Sequence, residues 1–235
     1  MATFSWVAGR WVMAAFAALA LSFPAEAFVY SSEKVLVRLV DRDTGKPIKS
    51  VIGVAIWEVE YPSLVTGRVY RPIAIEEAVS DAEGWIEFPS WKLERTFEAS
   101  YTSSAPRILL YHEDYRPIFL LNEVVMERNV AQPAKSKWNR REVALERTSS
   151  DLRRQAEHLS EINARLPDNR DDPENPCWFE RFPKMLAALN RMDVKFRHAR
   201  IVYATRADEV RVNEAFLVSR GCRKASEVIA EGGVK

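Results

Sequence analysis

Lys34-Val35-Leu36-Val37-Arg38-Leu39-Val40-Asp41-Arg42-Asp43-Thr44-Gly45-Lys46-Pro47 is the stretch whose reading decides the fold. Successive side chains of extended backbone point to opposite faces, so Val35, Val37 and Leu39 form the apolar face of a strand from Lys34 to Val40. Asp41 to Pro47 then closes it as a turn, with Asp to bond nearby amides, Gly for positive φ and Pro for a preset φ.

The same grammar continues outward. Val51 to Tyr61 is a second strand, in which Trp57, Val59 and Tyr61 alternate with Glu58 and Glu60. Ile73 to Ser80 and Trp85 to Phe88 flank Asp81-Ala82-Glu83-Gly84 and read as a hairpin. Arg107 to Tyr111 and Tyr115 to Leu121 flank His112-Glu113-Asp114 as another. Arg141 to Glu146 supplies a last strand after a polar, basic loop over Gln132 to Arg140. Some seven short strands with no helical run between them argue a sandwich rather than βαβ units.

From Ser149 the apolar period changes. Leu152, Ala156, Leu159, Ile162 and Leu166 recur at helical steps behind the N-cap candidates Ser149, Ser150 and Asp151, and Pro167 stops that helix. Phe179, Phe182, Leu186 and Leu189 make the next stripe, with Pro176 in its first turn and a kink expected at Pro183. Ala207 to Arg220 reads as a further helix stopped at Gly221, and Glu231 to Lys235 as a disordered tail. The fold class is therefore mainly β with a helical C-terminal part.

Residues 1–27 have the three parts of a secretory signal peptide: Arg10, an apolar run from Trp11 to Phe23, and Ala25-Glu26-Ala27 before a cut between Ala27 and Phe28. The run is too short for a bilayer span, so no permanent membrane anchor is expected after cleavage. The organisation is residues 1–27 as leader, 28–146 as the β unit and 147–235 as the helical extension, and the protein is expected to be periplasmic or secreted. Residues 28–132 carry 12 basic and 16 acidic side chains, and residues 133–235 carry 21 and 16. A balance this even gives no footprint for nucleic acid.

Cys177 and Cys222 are the only cysteines, and an even pair in an exported chain predicts a disulfide that ties the helical part to itself. Trp57 and Trp85 fall on strands and are expected in the core, whereas Trp91 and Trp138 fall in loops and are candidate contacts for a glycan or a protein. His158 and Glu161 have the His-x-x-Glu spacing of zinc enzymes on one helix face, with His198 as the one later His. A solvated helix face explains that pair more simply, and neither metal nor cofactor is expected. Asp41, Asp43, Asp81 and Glu83 could gather oxygens for Ca²⁺, but turn capping accounts for them at less cost. Phosphate loops, dinucleotide fingerprints and nucleophile elbows are absent.

Val40 to Ile48, Val54-Ala55-Ile56-Trp57 and Val79 to Phe88 together resemble the carboxypeptidase regulatory-like domain, a transthyretin-like sandwich of about seven strands. The resemblance rests on the Thr-Gly-x-Pro turn after the first strand and on the Asp-x-x-Gly turn before a later one. Tyr115 is similar to the Tyr of the family's Pro-Gly-Tyr turn, although Asp114 stands where the family has Gly. The match covers roughly residues 30–146. It implies a scaffolding or binding role without catalytic machinery, so the expected function is an exported, non-catalytic envelope protein contacting protein or glycan. The alternative is an enzyme or enzyme subunit acting on an envelope polymer, such as a metal-dependent hydrolase, through His158 and Glu161 or through an acidic pair.

Overall fold

A computed structural model describes residues 28–63, 67–95, 101–102, 105–122, 135–167 and 176–233. The leader and Ala27 lie outside these residues. The first strand begins at Phe28. The strands are β1 (Phe28–Ser32), β2 (Val35–Asp41), β3 (Ile52–Ser63), β4 (Gly67–Val79), β5 (Trp85–Phe88), β6 (Trp91–Arg95), β7 (Tyr101–Thr102), β8 (Arg107–His112), β9 (Tyr115–Leu120) and β10 (Arg141–Leu145). Helices α1 (Leu152–Asn163), a 3₁₀ turn (Trp178–Arg181), α2 (Pro183–His198), α3 (Arg206–Val212), α4 (Glu214–Ser219) and α5 (Ala225–Gly233) follow.

Three strands in the order β10-β2-β5 face a larger sheet in the order β4-β3-β8-β9, with β7 also on β3. Val35, Val37 and Leu39 are fully buried, as their alternation predicts. They share a core with Ile86, Phe88 and Leu145 and, from the opposite sheet, Ala55, Trp57, Ile108 and Leu110. The other face of β3 is buried too: Ile52, Val54 and Ile56 pack with Leu109 and Tyr111 against Leu159, Phe179, Leu186, Leu189 and Phe196 of the helical part. The molecule is thus layered sheet on sheet on helices, and β3 and β8 contribute side chains to both cores. Ile52, Val54, Ala55, Ile56 and Trp57 are all apolar because neither side of that strand meets water.

The hairpin expected from Ile73 to Phe88 does not form. β4 pairs with β3 and β5 pairs with β2, so Asp81–Gly84 carries the chain from one sheet to the other. Gly84 decides this. Its carbonyl accepts the Leu39 N–H at 2.8 Å, its φ is +79°, and a Cβ there would lie 2.4 Å from the Leu39 carbonyl oxygen. Only glycine lets the turn seat this closely on β2, which then takes β5 as its neighbour.

β1 and β6 form a two-stranded ribbon absent from the sequence reading. Its pairing, Phe28↔Arg95 to Ser32↔Trp91, continues the register of Val35↔Phe88 in the β2–β5 ladder without a slip. The interruption falls at Glu33-Lys34 opposite Pro89-Ser90, where proline has no N–H to give. Trp91 is therefore in a strand rather than a loop.

In the helical part, Pro183 opens α2 at its first turn instead of kinking a longer helix, a position where its missing N–H costs nothing. Asn213 splits the expected Ala207–Arg220 helix into α3 and α4. The tail reading is corrected through Gly233, because Glu231, Gly232 and Gly233 complete α5. A Cβ at Gly232 would lie 2.0 Å from the Pro183 carbonyl oxygen, so the glycine that suggested a loose tail is what lets α5 pack on α2. Among the described residues, no helix is long and apolar enough to cross a membrane.

Candidate functional site

Two turns at the ends of β2 and β4 hold the sandwich in shape. Oδ1 of buried Asp41 accepts the backbone N–H groups of Asp43 and Thr44 and the Thr44 hydroxyl, while Oδ2 accepts the Tyr115 hydroxyl at 2.8 Å and faces Arg147 at 3.1 Å. The Tyr115 hydrogen bond, with Thr44 and Arg147 adding to it against the opposing effect of burial, holds the Asp41 carboxyl down at about 2. Asp81 Oδ1 accepts the N–H groups of Glu83 and Trp85. These carboxylates are occupied by their turns.

A cleft of about 530 Å³ opens between β4, β6 and the 3₁₀ turn. The β4 wall is irregular: β3–β4 pairing slips by one residue between Trp57 and Glu58, which leaves Ile73 as a bulge next to Pro72. On β6, half-buried Trp91 meets Trp57 edge-on, with ring centroids 5.4 Å apart, and Trp57 is itself anchored by donating to Ser32 Oγ at 3.1 Å. The third wall is Trp178, which is 5% exposed. It stacks on Phe182 at 5.3 Å, while the Arg206 guanidinium lies 5.6 Å from its centroid. Arg206 is itself buried and donates to the carbonyls of Asn163 and Leu166 at the end of α1.

The indole N–H groups of Trp91 and Trp178 are both buried and have no acceptor among the described residues. Glu76, Lys92, Glu180, Arg181 and Arg223 supply charge around the cleft. Lys92 pairs with Glu94 at 2.8 Å and Arg223 with Glu231 at 2.9 Å. Glu180 accepts the Arg223 backbone N–H at 2.8 Å.

The Cys177–Cys222 disulfide forms, with Cα atoms 5.3 Å apart, and Cys177 lines this cleft. The Glu180 carboxylate lies within 4.8 Å of both sulfurs, but sulfurs bonded to each other offer no thiolate to a metal. His158 is half-buried on α1, while Glu161 and His198 are exposed. Among the described residues these three do not come together as a ligand group. Half-buried His112 accepts the Asp114 N–H, and burial lowers its pKa.

The two candidate contact residues part company. Trp91 lies in the cleft, whereas Trp138 is half-buried against the sandwich core and donates to the Leu121 carbonyl at 2.9 Å. Trp57 fills the core as expected, but Trp85 is only half-buried. Trp178 was not singled out by sequence, because an aromatic at the start of a helical stripe reads as core. Its unmatched N–H depends on what surrounds it.

No family model matches the chain, and no curated protein matches it. Among solved structures, a 9R-lipoxygenase from Cyanothece PCC8801 aligns at 12% identity and a TM-score of 0.21, over 91% of this chain and 32% of that one. This chain thus spans about a third of that protein's length, and a likeness at this TM-score carries no argument.

Proposed function

We propose that this protein is an exported, non-catalytic binding module of the cell envelope, a transthyretin-like sandwich with a disulfide-tied helical extension, and that it contacts protein or glycan through the Trp91–Trp178 cleft. The carrying observation is the cleft of about 530 Å³ in which half-buried Trp91 on β6 and Trp178 of the 3₁₀ turn stand among Glu76, Lys92, Glu180, Arg181 and Arg223. An indole flanked by polar side chains offers an apolar face and a polar rim, the combination that contacts a sugar ring or a protein partner. The disulfide is consistent with an oxidising compartment. The turns at Asp41 and Asp81 and the packing of a three-stranded sheet on a five-stranded one support the family resemblance.

Co-sedimentation of purified residues 28–235 with isolated envelope fractions tests the reading. Retention is expected, with loss on Trp91→Phe and no loss on Trp138→Phe; absence of retention on every fraction rejects it. One observation favours the enzyme alternative: Glu76 and Glu180 line the same cleft, and paired carboxylates are what glycoside hydrolysis uses. Turnover of an envelope polymer that disappears in Glu76→Gln or Glu180→Gln would establish it.

A further inference from the structure

We infer that Cys177, Cys222 and Glu180 form a zinc site in the thiol form of the chain, so that metal and disulfide are alternative fastenings of one joint; the site is independent of the binding-module reading. Cysteine enters every chain as a thiol, so this state precedes the bridge. The ligand atoms of the three side chains lie within 4.8 Å of one another, and among the described residues no other trio of His, Cys, Asp or Glu side chains is gathered in this way. A tetrahedral zinc ion holds sulfur at about 2.3 Å and carboxylate oxygen at about 2.1 Å, which sets two sulfur ligands about 3.8 Å apart. Cα atoms 5.3 Å apart are compatible with that spacing. Two thiolates select zinc over the hard cations calcium and magnesium, which take oxygen.

The donors are held in place by bonds other than the sulfur bridge. Cys177 and Glu180 stand three residues apart at the 3₁₀ turn, the spacing that such a turn brings to one side, and the Glu180 N–H donates to the Cys177 carbonyl at 3.1 Å. Between them Trp178 and Phe179 are buried in the helical core, which anchors the turn. Across the joint, Glu180 Oε1 accepts the Arg223 N–H at 2.8 Å, and the Cys222 N–H donates to the Leu217 carbonyl at 3.1 Å. Loss of the bridge therefore leaves the three donors close together. Glu180 Oε2 has no hydrogen-bond or ion-pair partner among the described residues and is the oxygen available to an ion. Three protein ligands leave the fourth position to water. Binding releases the two thiol protons to solvent. Exchange with a disulfide oxidant then takes up two protons, joins the two Sγ atoms, reduces the oxidant to two thiols and frees the ion.

Titration of residues 28–235, kept reduced with a phosphine under argon, tests this with Co²⁺ and Zn²⁺ as the probes. Stoichiometric Co²⁺ is expected to give a sulfur-to-cobalt charge-transfer band and the visible bands of a tetrahedral ion, and Zn²⁺ to bleach both. Glu180→Gln should weaken Zn²⁺ binding at least about tenfold. Cys177→Ser and Cys222→Ser should each abolish stoichiometric binding, and Glu157→Gln, which removes an exposed carboxylate on α1, should leave it unchanged. Near-UV circular dichroism checks the fold of each reduced protein. A reduced parent that folds only when zinc is added supports the site, because binding energy then appears as folding energy. A reduced parent that stays unfolded with stoichiometric zinc overturns it. Tetrahedral cobalt that Glu180→Gln does not weaken overturns the three-donor site, since the two cysteines alone then account for it. Substoichiometric metal, or metal that stays bound after the cysteine pair is oxidised, overturns it as well.

Discussion

Glu77 on β4 accepts the backbone N–H of Met185 at 2.7 Å, so the central sheet itself caps helix α2 from 108 residues away in sequence. A second bond, from Lys184 N–H at 3.0 Å, makes the cap two-pronged. Phe182, at the N-cap position, has no side-chain acceptor to offer and makes no cap bond. The carboxylate therefore satisfies two of the helix's orphan donors and faces the positive end of its dipole.

Replacing Glu77 with Ala should cost about 1–2 kcal/mol, read as a lower urea midpoint. Burial raises the pKa of this carboxyl above its ordinary value, and the two N–H bonds only partly oppose that. A raised acid binds its proton more tightly in the folded state, so its contribution to stability is greatest below the ordinary value and falls as pH rises through the folded pKa. Midpoints measured from pH 4 to pH 8 should show that fall in the parent and a flatter profile in Glu77→Gln. A profile of equal slope in both would assign the pH dependence elsewhere.

Asp41 works in the opposite sense. Its carboxyl is held at about 2, so the stability it confers is fully present above its ordinary value of 3.8 and is lost as pH falls toward 2. Removing the leading cause with Tyr115→Phe should lower stability at neutral pH and reduce the loss between pH 4 and pH 2. Acid denaturation followed by tryptophan fluorescence measures both effects; a variant with the parent's acid slope contradicts the assignment to Tyr115.

Gly84→Ala should destabilise the sandwich by more than the roughly 1 kcal/mol of an ordinary left-handed position, because backbone oxygen and not a flexible side chain occupies the space. The expected readout is a lowered thermal midpoint with the helical signal lost in the same transition, since β3 belongs to both cores. Separate melting of sheet and helix would show the layers to be independent.

Reducing Cys177–Cys222, or replacing both cysteines with Ala, should cost about 2–4 kcal/mol for a loop closing 45 residues. The urea midpoint with and without reductant tests it. Because Cys177 and its neighbour Trp178 line the cleft, ligand affinity should fall along with stability.

Much of this architecture was legible residue by residue. The alternation of Val35, Val37 and Leu39 determined a strand with one buried face, the steps from Leu152 to Leu166 determined a helix, and two cysteines without competitors determined their bridge. Each follows from local periodicity or elimination, which need no knowledge of neighbours. What folding alone decided depended on partners distant in sequence. Gly84 seats on Leu39, and that contact rather than turn chemistry sends β5 to the other sheet. Gly232 meets Pro183, which turns an apparent tail into a helix. Pro89 explains a break between ribbons whose common register appears only once β1 and β6 are paired. The cleft belongs to this second class: Trp91 was a candidate contact by sequence, but its neighbour across the cleft, Trp178, was not. They come together because β6 and the 3₁₀ turn, far apart in sequence, form two walls of one cleft, and which side chains share a cleft is a property of three-dimensional surroundings.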